Sequence, residues 1–120
     1  MKKILFVEDE SALQKALTDI LTQAGYKVVS ALDGEIGLRL AESEKPDLIL
    51  LDIILPRLDG FEVLKKLKEN PGLKEIPVIV LTNLEKMEDV ERAIELGAKT
   101  YLVKTQYTIK EVIEKIKKAI

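Results

Sequence analysis

Four polar positions in this chain each directly follow a short apolar run. Glu8-Asp9-Glu10 follows Ile4-Leu5-Phe6-Val7, and Asp52 follows Leu48-Ile49-Leu50-Leu51. Thr82 follows Val78-Ile79-Val80-Leu81, and Lys104 follows Tyr101-Leu102-Val103. Taken singly, each has an ordinary explanation. Asp9 could cap a helix, Thr82 could be a strand-end threonine and Lys104 a solvated lysine. Asp52 fits such a reading poorly, because it ends the most apolar run in the chain. Together the acids, the hydroxyl and the amine form a set with a definite chemistry. Carboxylates held close repel one another and raise the affinity for a hard divalent cation such as Mg²⁺. Such a cation neutralises charge on a phosphoryl group. A carboxylate can serve as the nucleophile and become an acyl phosphate. A lysine supplies a compact positive charge for one phosphoryl oxygen, and a threonine hydroxyl donates to another.

Composition narrows the alternatives. The chain contains no histidine and no cysteine, which removes the commonest general base, thiol chemistry and thiolate metal sites. With 19 basic and 21 acidic residues the formal net charge is −2, so composition offers no basic footprint for nucleic acid. No apolar run approaches the length of a membrane span. Met1-Lys2-Lys3 is followed by too short an apolar run for a signal-peptide core. The expectation is a cytoplasmic protein without direct contact to membrane or nucleic acid.

The elements that must position these side chains follow from periodicity. Besides the four runs above, Lys27 to Ala31 reads as a short strand, which makes five. Between the strands, apolar residues recur at helical spacing. They include Ala12, Leu13, Ala16, Leu17, Ile20 and Leu21 before the stop at Gly25, and Ile36, Leu40 and Ala41 before Pro46. Val63, Leu64 and Leu67 mark a third helix, broken by Pro71-Gly72. Met87, Val90, Ala93 and Ile94 mark a fourth that ends at Gly97, and Ile109, Val112, Ile113 and Ile116 a fifth. Capping-box spacing at Ser11-Ala12-Leu13-Gln14, Asp59-Gly60-Phe61-Glu62 and Thr108-Ile109-Lys110-Glu111 predicts three helix starts. Strands alternating with helices predict an α/β fold, a doubly wound parallel sheet covered on both faces, in a single domain over 1–120. In such sheets ligands sit beyond the carboxyl ends of the strands, near the switch in strand order. That is where the polar set falls.

The sequence resembles the receiver domains of response regulators in two-component signalling, over essentially its whole length. The resemblance is carried by Ile4-Leu5-Phe6-Val7-Glu8-Asp9-Glu10 and by the segment from Pro46-Asp47-Leu48 through Asp52 and Leu55-Pro56 to Asp59-Gly60. It is completed by Pro77-Val78-Ile79-Val80-Leu81-Thr82 and Gly97-Ala98-Lys99-Thr100-Tyr101-Leu102-Val103-Lys104. The resemblance implies a flavodoxin-like five-stranded sheet in the order 2-1-3-4-5. It implies that Asp52 accepts a phosphoryl group from the phosphohistidine of a sensor histidine kinase or phosphotransfer protein, and that no other substrate is turned over. Asp9 would bind Mg²⁺ (or Mn²⁺) directly and Glu8 through water. Asp52 and the main-chain carbonyl of Ile54 would complete the protein ligands. Lys104 would pair with the phosphoryl group, while Thr82 and Tyr101 would switch in concert. Output would pass through the face of the fourth helix, fifth strand and fifth helix to a downstream protein, as a monomer or a phosphorylation-dependent dimer.

Three positions depart from the family's usual residues. Glu8 stands where aspartate is commoner. Thr105 stands where proline usually follows the lysine, often through a cis bond. Such a bond before a non-proline residue costs about 3–4 kcal/mol, so a trans linkage and a different lysine placement are expected. Ile54 and Leu84, two residues beyond Asp52 and Thr82, cannot orient a hydrolytic water, which predicts a long-lived phosphoryl group. Rival readings fit less well. A haloacid-dehalogenase phosphatase wants a second acid where Ile54 stands. A flavodoxin-like cofactor carrier wants a phosphate cradle where Glu8-Asp9-Glu10 would repel an anion. A receiver-like interaction module that is never phosphorylated would not need Asp9, Asp52, Thr82 and Lys104 together.

Overall fold

Alternation of side chains along the strands decides how this molecule is layered. The computed structural model describes residues 1–120. Its strands are β1 (Lys3–Val7), β2 (Lys27–Ala31), β3 (Leu48–Leu51), β4 (Val78–Thr82) and β5 (Thr100–Val103). They pair in parallel in the order β2-β1-β3-β4-β5. Successive residues of a strand point to opposite faces. Leu5, Val7, Ile49, Leu51, Val78 and Val80 therefore pack on one side with Val63, Leu64 and Leu67. Ile4, Phe6, Leu48, Leu50, Ile79 and Leu81 pack on the other with Leu17, Leu21, Val112, Ile113 and Ile116. All four residues of β3 are fully buried, as a central strand covered on both faces requires.

The helices divide between these two layers. α1 (Ser11–Gln23) and α5 (Ile109–Ala119) cover one face. α2 (Gly34–Glu44), α3 (Gly60–Glu69) and α4 (Met87–Glu95) cover the other. Their ends carry the expected devices. Asp33 caps α2 through Ile36 N–H, and Asp59 caps α3 through Glu62 N–H. Thr108 and Glu111 form the reciprocal capping box of α5. Gly25 and Gly97, after α1 and α4, adopt φ of +97° and +105°, the left-handed region that glycine reaches without steric cost.

The capping box expected at Ser11-Gln14 does not form. Ser11 already lies inside α1, and Glu10 takes the capping position without a side-chain bond to the helix. Gln14 Nε2 instead donates to the carbonyls of Glu8 and Ala31, each at 3.0 Å. Those bonds tie the start of α1 to the ends of β1 and β2.

Strand register then sets the level of every polar end. Val7 lies opposite Leu51 in the β1–β3 pairing, so Glu8 and Asp52 leave the sheet side by side. Thr82 lies opposite Val103, one residue before Lys104. β1 has β2 on one side and β3 on the other, so its carboxyl end is the point where the chain's winding reverses. Behind Asp52, Gly60 opens α3 so closely that a Cβ there would collide with the Asp52 carbonyl oxygen and Ile53 Cα. The absent side chain lets α3 begin directly under the loop that presents Asp52.

Candidate functional site

The carboxyl ends of β1, β3 and β5 bring their polar residues into contact. Asp52 is almost wholly buried, and its carboxylate is held from two directions. Ile54 N–H donates to Oδ1 at 3.1 Å, and Lys104 Nζ donates to Oδ2 at 3.0 Å. Lys104 also lies 2.9 Å from Glu8 Oε1 and 3.3 Å from Glu10 Oε2. Side-chain exposure is 0% at Glu8, 4% at Asp52, 12% at Lys104 and 56% at Glu10. The carboxylates thus run from the floor of the site to its mouth, with the ammonium among them.

All peptide bonds are trans, including Lys104–Thr105. Lys104 opens a single 3-10 turn over Lys104–Gln106, and the contact to Asp52 is made from there. The different lysine placement expected from the missing proline does not cost the site this contact.

One ammonium cannot compensate several buried carboxylates, and proton affinities record the imbalance. Burial opposes the charge on Lys104. Hydrogen bonds and charges from Glu8 and Asp52 outweigh it and hold the amine's proton affinity well above that of an ordinary lysine. Glu8 goes the other way for a carboxylate. Burial is the largest influence and pushes it up to about 7, against the pull of Lys104 and of Glu10 N–H, with the charge of Asp52 adding to the rise. The two directions are compatible, because Lys104 is shared while Glu8 has no other cation.

That shortfall is the physical case for a metal. Carboxylate oxygens of Glu8, Asp9 and Asp52 lie within 4.8 Å of one another. The donor set is all oxygen, as Mg²⁺ and Mn²⁺ prefer. Glu8 Oε1 is buried beside Lys104 Nζ at 2.9 Å and has no further partner, so it retains unused acceptor capacity. Asp9 is exposed at the rim, where a hydrated cation can be reached. The residues present fit such an ion.

Thr82 and Tyr101 stand beside this cluster and are joined through one loop residue. Thr82 is fully buried, and Leu84 N–H approaches its Oγ1 at 3.5 Å. The Tyr101 hydroxyl donates to Leu84 O at 2.8 Å. Burial, with the charges of Asp89 and Asp52, pushes that phenol up to about 12, so it remains a donor at neutral pH. The hydrogen bonds of this pair run to Leu84 rather than to Asp52. Ile54 directs its backbone N–H inward while its side chain is half exposed.

Sequence reasoning assigned no role to Glu10 or to the Leu84 backbone. Glu10 carried no signal of its own, because the capping-box spacing placed the start of α1 at Ser11 and only the structure puts Glu10 at the cap. The Leu84 link runs through main-chain atoms and left no side-chain signal.

The chain and its fold have known relatives. Residues 4–117 match the family model of the response regulator receiver domain. The chain is 42% identical over 116 residues to the alkaline phosphatase synthesis transcriptional regulatory protein PhoP of Bacillus subtilis, covering 97% of this chain and 47% of that protein. It is 40% identical over 102 residues to the response regulator PleD of Caulobacter vibrioides, covering 85% of this chain and 22% of that protein. The chain therefore spans about half the length, or less, of these curated relatives. Among solved structures, the Vibrio cholerae chemotaxis protein CheY4 superposes with a TM-score of 0.92 at 28% identity, covering 100% of this chain and 99% of that one. The Mn²⁺-bound form of response regulator Rcp1 gives 0.84 at 34% identity, covering 98% and 91%.

The raised proton affinity of Glu8 would set a pH dependence for cation binding. A proton on Glu8 would compete with the cation, lowering affinity below the folded value of about 7 and leaving it level above. Calorimetric titration with Mg²⁺ should show affinity rising about tenfold from pH 6 to pH 8, as one competing proton requires. Glu8→Gln should bind more weakly and lose this dependence. A wild-type affinity that is flat across the range would contradict the competition.

Proposed function

Because the chain belongs to the response regulator receiver domain family, we propose that it is a phosphoryl-accepting switch with Asp52 as the acceptor. The observation that carries the reading is the buried Asp52 carboxylate, oriented by Ile54 N–H and contacted by Lys104 at 3.0 Å. The donor is a phosphohistidine on a sensor histidine kinase or phosphotransfer protein. An Asp52 oxygen forms the new bond to phosphorus as the phosphorus–nitrogen bond breaks, and the imidazole leaves with the electron pair. Residues 1–120 act as one receiver unit that catalyses only its own phosphorylation and dephosphorylation.

Each neighbouring side chain has a task in this transfer. The Ile54 N–H bond keeps the carboxylate from rotating, which holds it as a positioned nucleophile. Lys104 moves its donor from the Asp52 carboxylate to a phosphoryl oxygen, so the same charge serves before and after transfer. Thr82 donates to a second phosphoryl oxygen. That movement is felt at Leu84, whose carbonyl anchors Tyr101. Glu8, Asp9, Asp52 and the Ile54 carbonyl would hold Mg²⁺, with Mn²⁺ as a substitute supported by the Mn²⁺-bound Rcp1 relative. When bound, that ion supplies charge neutralisation for the phosphoryl oxygens.

New contacts at the phosphoryl group favour one of two states of the β4–α4 loop and Tyr101. Output is by protein contact at the face of α4, β5 and α5. Exposed Met87 and Ile94, at 69% and 47%, support this assignment. They lie seven residues apart on α4 and so share one helix face. The partner is a downstream protein, met as a monomer or a phosphorylation-dependent dimer, in the cytoplasm.

Mg²⁺-dependent labelling by a small phosphodonor should modify wild type and leave Asp52→Ala unlabelled. Equal labelling of both would sink the assignment, and labelling of neither would favour an interaction module that is never phosphorylated. The exposed apolar Ile54 side chain offers no hydrogen bond to an attacking water. Ile54→Asn should therefore shorten the lifetime of the phosphorylated protein several-fold, followed as loss of label after donor removal. An unchanged lifetime would count against the role given to Ile54.

A further inference from the structure

Glu10 occupies an anomalous position. It stands at the capping position of α1, where the first turn carries no acidic residue and a carboxylate would be stabilised by free helix N–H groups. Its side chain makes no such bond. It turns instead to the phosphoryl-transfer site, with Oε2 3.3 Å from Lys104 Nζ. Its backbone N–H is committed to Glu8 Oε2 at 3.0 Å, which fixes the base of the side chain beside the site. Of the carboxylates that touch Lys104, Glu10 is by far the most exposed, at 56% against 0% for Glu8 and 4% for Asp52. An incoming phosphodonor thus meets this negative charge at the mouth before it meets the ammonium behind it.

We infer that Glu10 is a charge filter, a specificity-determining residue that slows phosphoryl transfer from free anionic donors and leaves Asp52 to donors delivered by a docked protein. The inference rests on Asp52 being the phosphoacceptor. Two effects of the carboxylate act in the same direction. It repels an approaching anion at the mouth, where charge governs the encounter rate. It also engages Lys104 from the solvent side, so the ammonium is less available to a donor that arrives there. A protein carrying phosphohistidine meets the same charge but brings binding energy from its wider contact surface, which offsets the repulsion. A small acyl phosphate has no such compensation.

The filter is testable by varying donor charge. Acetyl phosphate, the more highly charged donor, transfers as the Asp52–phosphorus bond forms, the phosphorus–oxygen bond breaks and acetate leaves. Phosphoramidate carries less negative charge, and with it the phosphorus–nitrogen bond breaks and ammonia leaves after taking up a proton. Both rates are measured with Mg²⁺ for wild type, Glu10→Gln and Glu10→Asp. Glu10→Gln should accelerate labelling by acetyl phosphate about tenfold at low salt, the lower end of electrostatic steering effects. The gain with phosphoramidate should be clearly smaller. Raising the salt until the screening length falls to a few ångströms should shrink both gains, and Glu10→Asp, which keeps the charge at the mouth but reaches less far toward Lys104, should give a smaller gain than Glu10→Gln. The ratio of the two donors within one protein is insensitive to small differences in folding. Equal gains for both donors, a gain indifferent to salt, no gain, or a Glu10→Asp variant as fast as Glu10→Gln would each overturn the filter. Wild type labelled at Asp52 with any of those outcomes leaves the phosphoacceptor reading intact. Wild type and Glu10→Gln that both take no label would overturn that reading and the filter together.

Discussion

The Lys104 ammonium lies 2.9, 3.3 and 3.0 Å from carboxylates of Glu8, Glu10 and Asp52, and the rim of the sheet is organised by the cost of leaving any of these charges alone. Removing one partner of a buried ion pair typically costs about 3–5 kcal/mol, because the other charge is stranded away from water. Lys104 is therefore held at the end of β5 even though the residue after it is threonine rather than proline. The surplus of negative charge remains. Burial, with the charge of Asp52 adding to it, pushes the proton affinity of Glu8 up to about 7, and under the proposed function the surplus charge is what a divalent ion would offset. In this account the site is tense by design of its charges rather than by backbone strain.

The sheet supplies the geometry that this electrostatics needs. Parallel pairing of β1 with β3 sets Glu8 beside Asp52 without any loop having to find the arrangement. β4 and β5 place Thr82 and Lys104 one register step apart at the same rim. A one-residue slip of any strand would turn its apolar side chains to the wrong face and its polar end to the wrong level. The two buried layers against opposite faces of the sheet therefore fix the site as well as the fold. Contacts through Leu84 join Thr82 at the rim to Tyr101 on β5, the path that the proposed switch would use.

Much of this was legible in the sequence because its physics is local or periodic. Ile4 to Val7, Leu48 to Leu51 and Val78 to Leu81 announce buried strands by length and apolarity. The polar residue after each run marks its carboxyl end. Asp59 and Thr108 announce helix starts by side-chain type. What escaped is what depends on competition between neighbours. Ser11 has the right type and spacing for a capping box, but the chain enters α1 one residue earlier, and Gln14 finds two carbonyls across the sheet edge. Glu10 was readable as one acid of three, and only the three-dimensional fold turns its carboxylate toward Lys104. The Leu84 bridge uses backbone atoms that every residue carries, so no choice of amino acid advertises it.

Under the proposed function one carboxylate among several neighbouring acids, Asp52, becomes the acyl phosphate. The most direct measurement is chemical trapping after incubation with Mg²⁺ and a phosphodonor. Borohydride reduces an acyl phosphate to an alcohol, which converts the modified aspartate to homoserine, and peptide mass spectrometry then locates it. Homoserine is expected at position 52 and nowhere else. Homoserine at Asp9 or Asp59, or a chain that stays unmodified while a phosphohistidine donor is consumed, would contradict it.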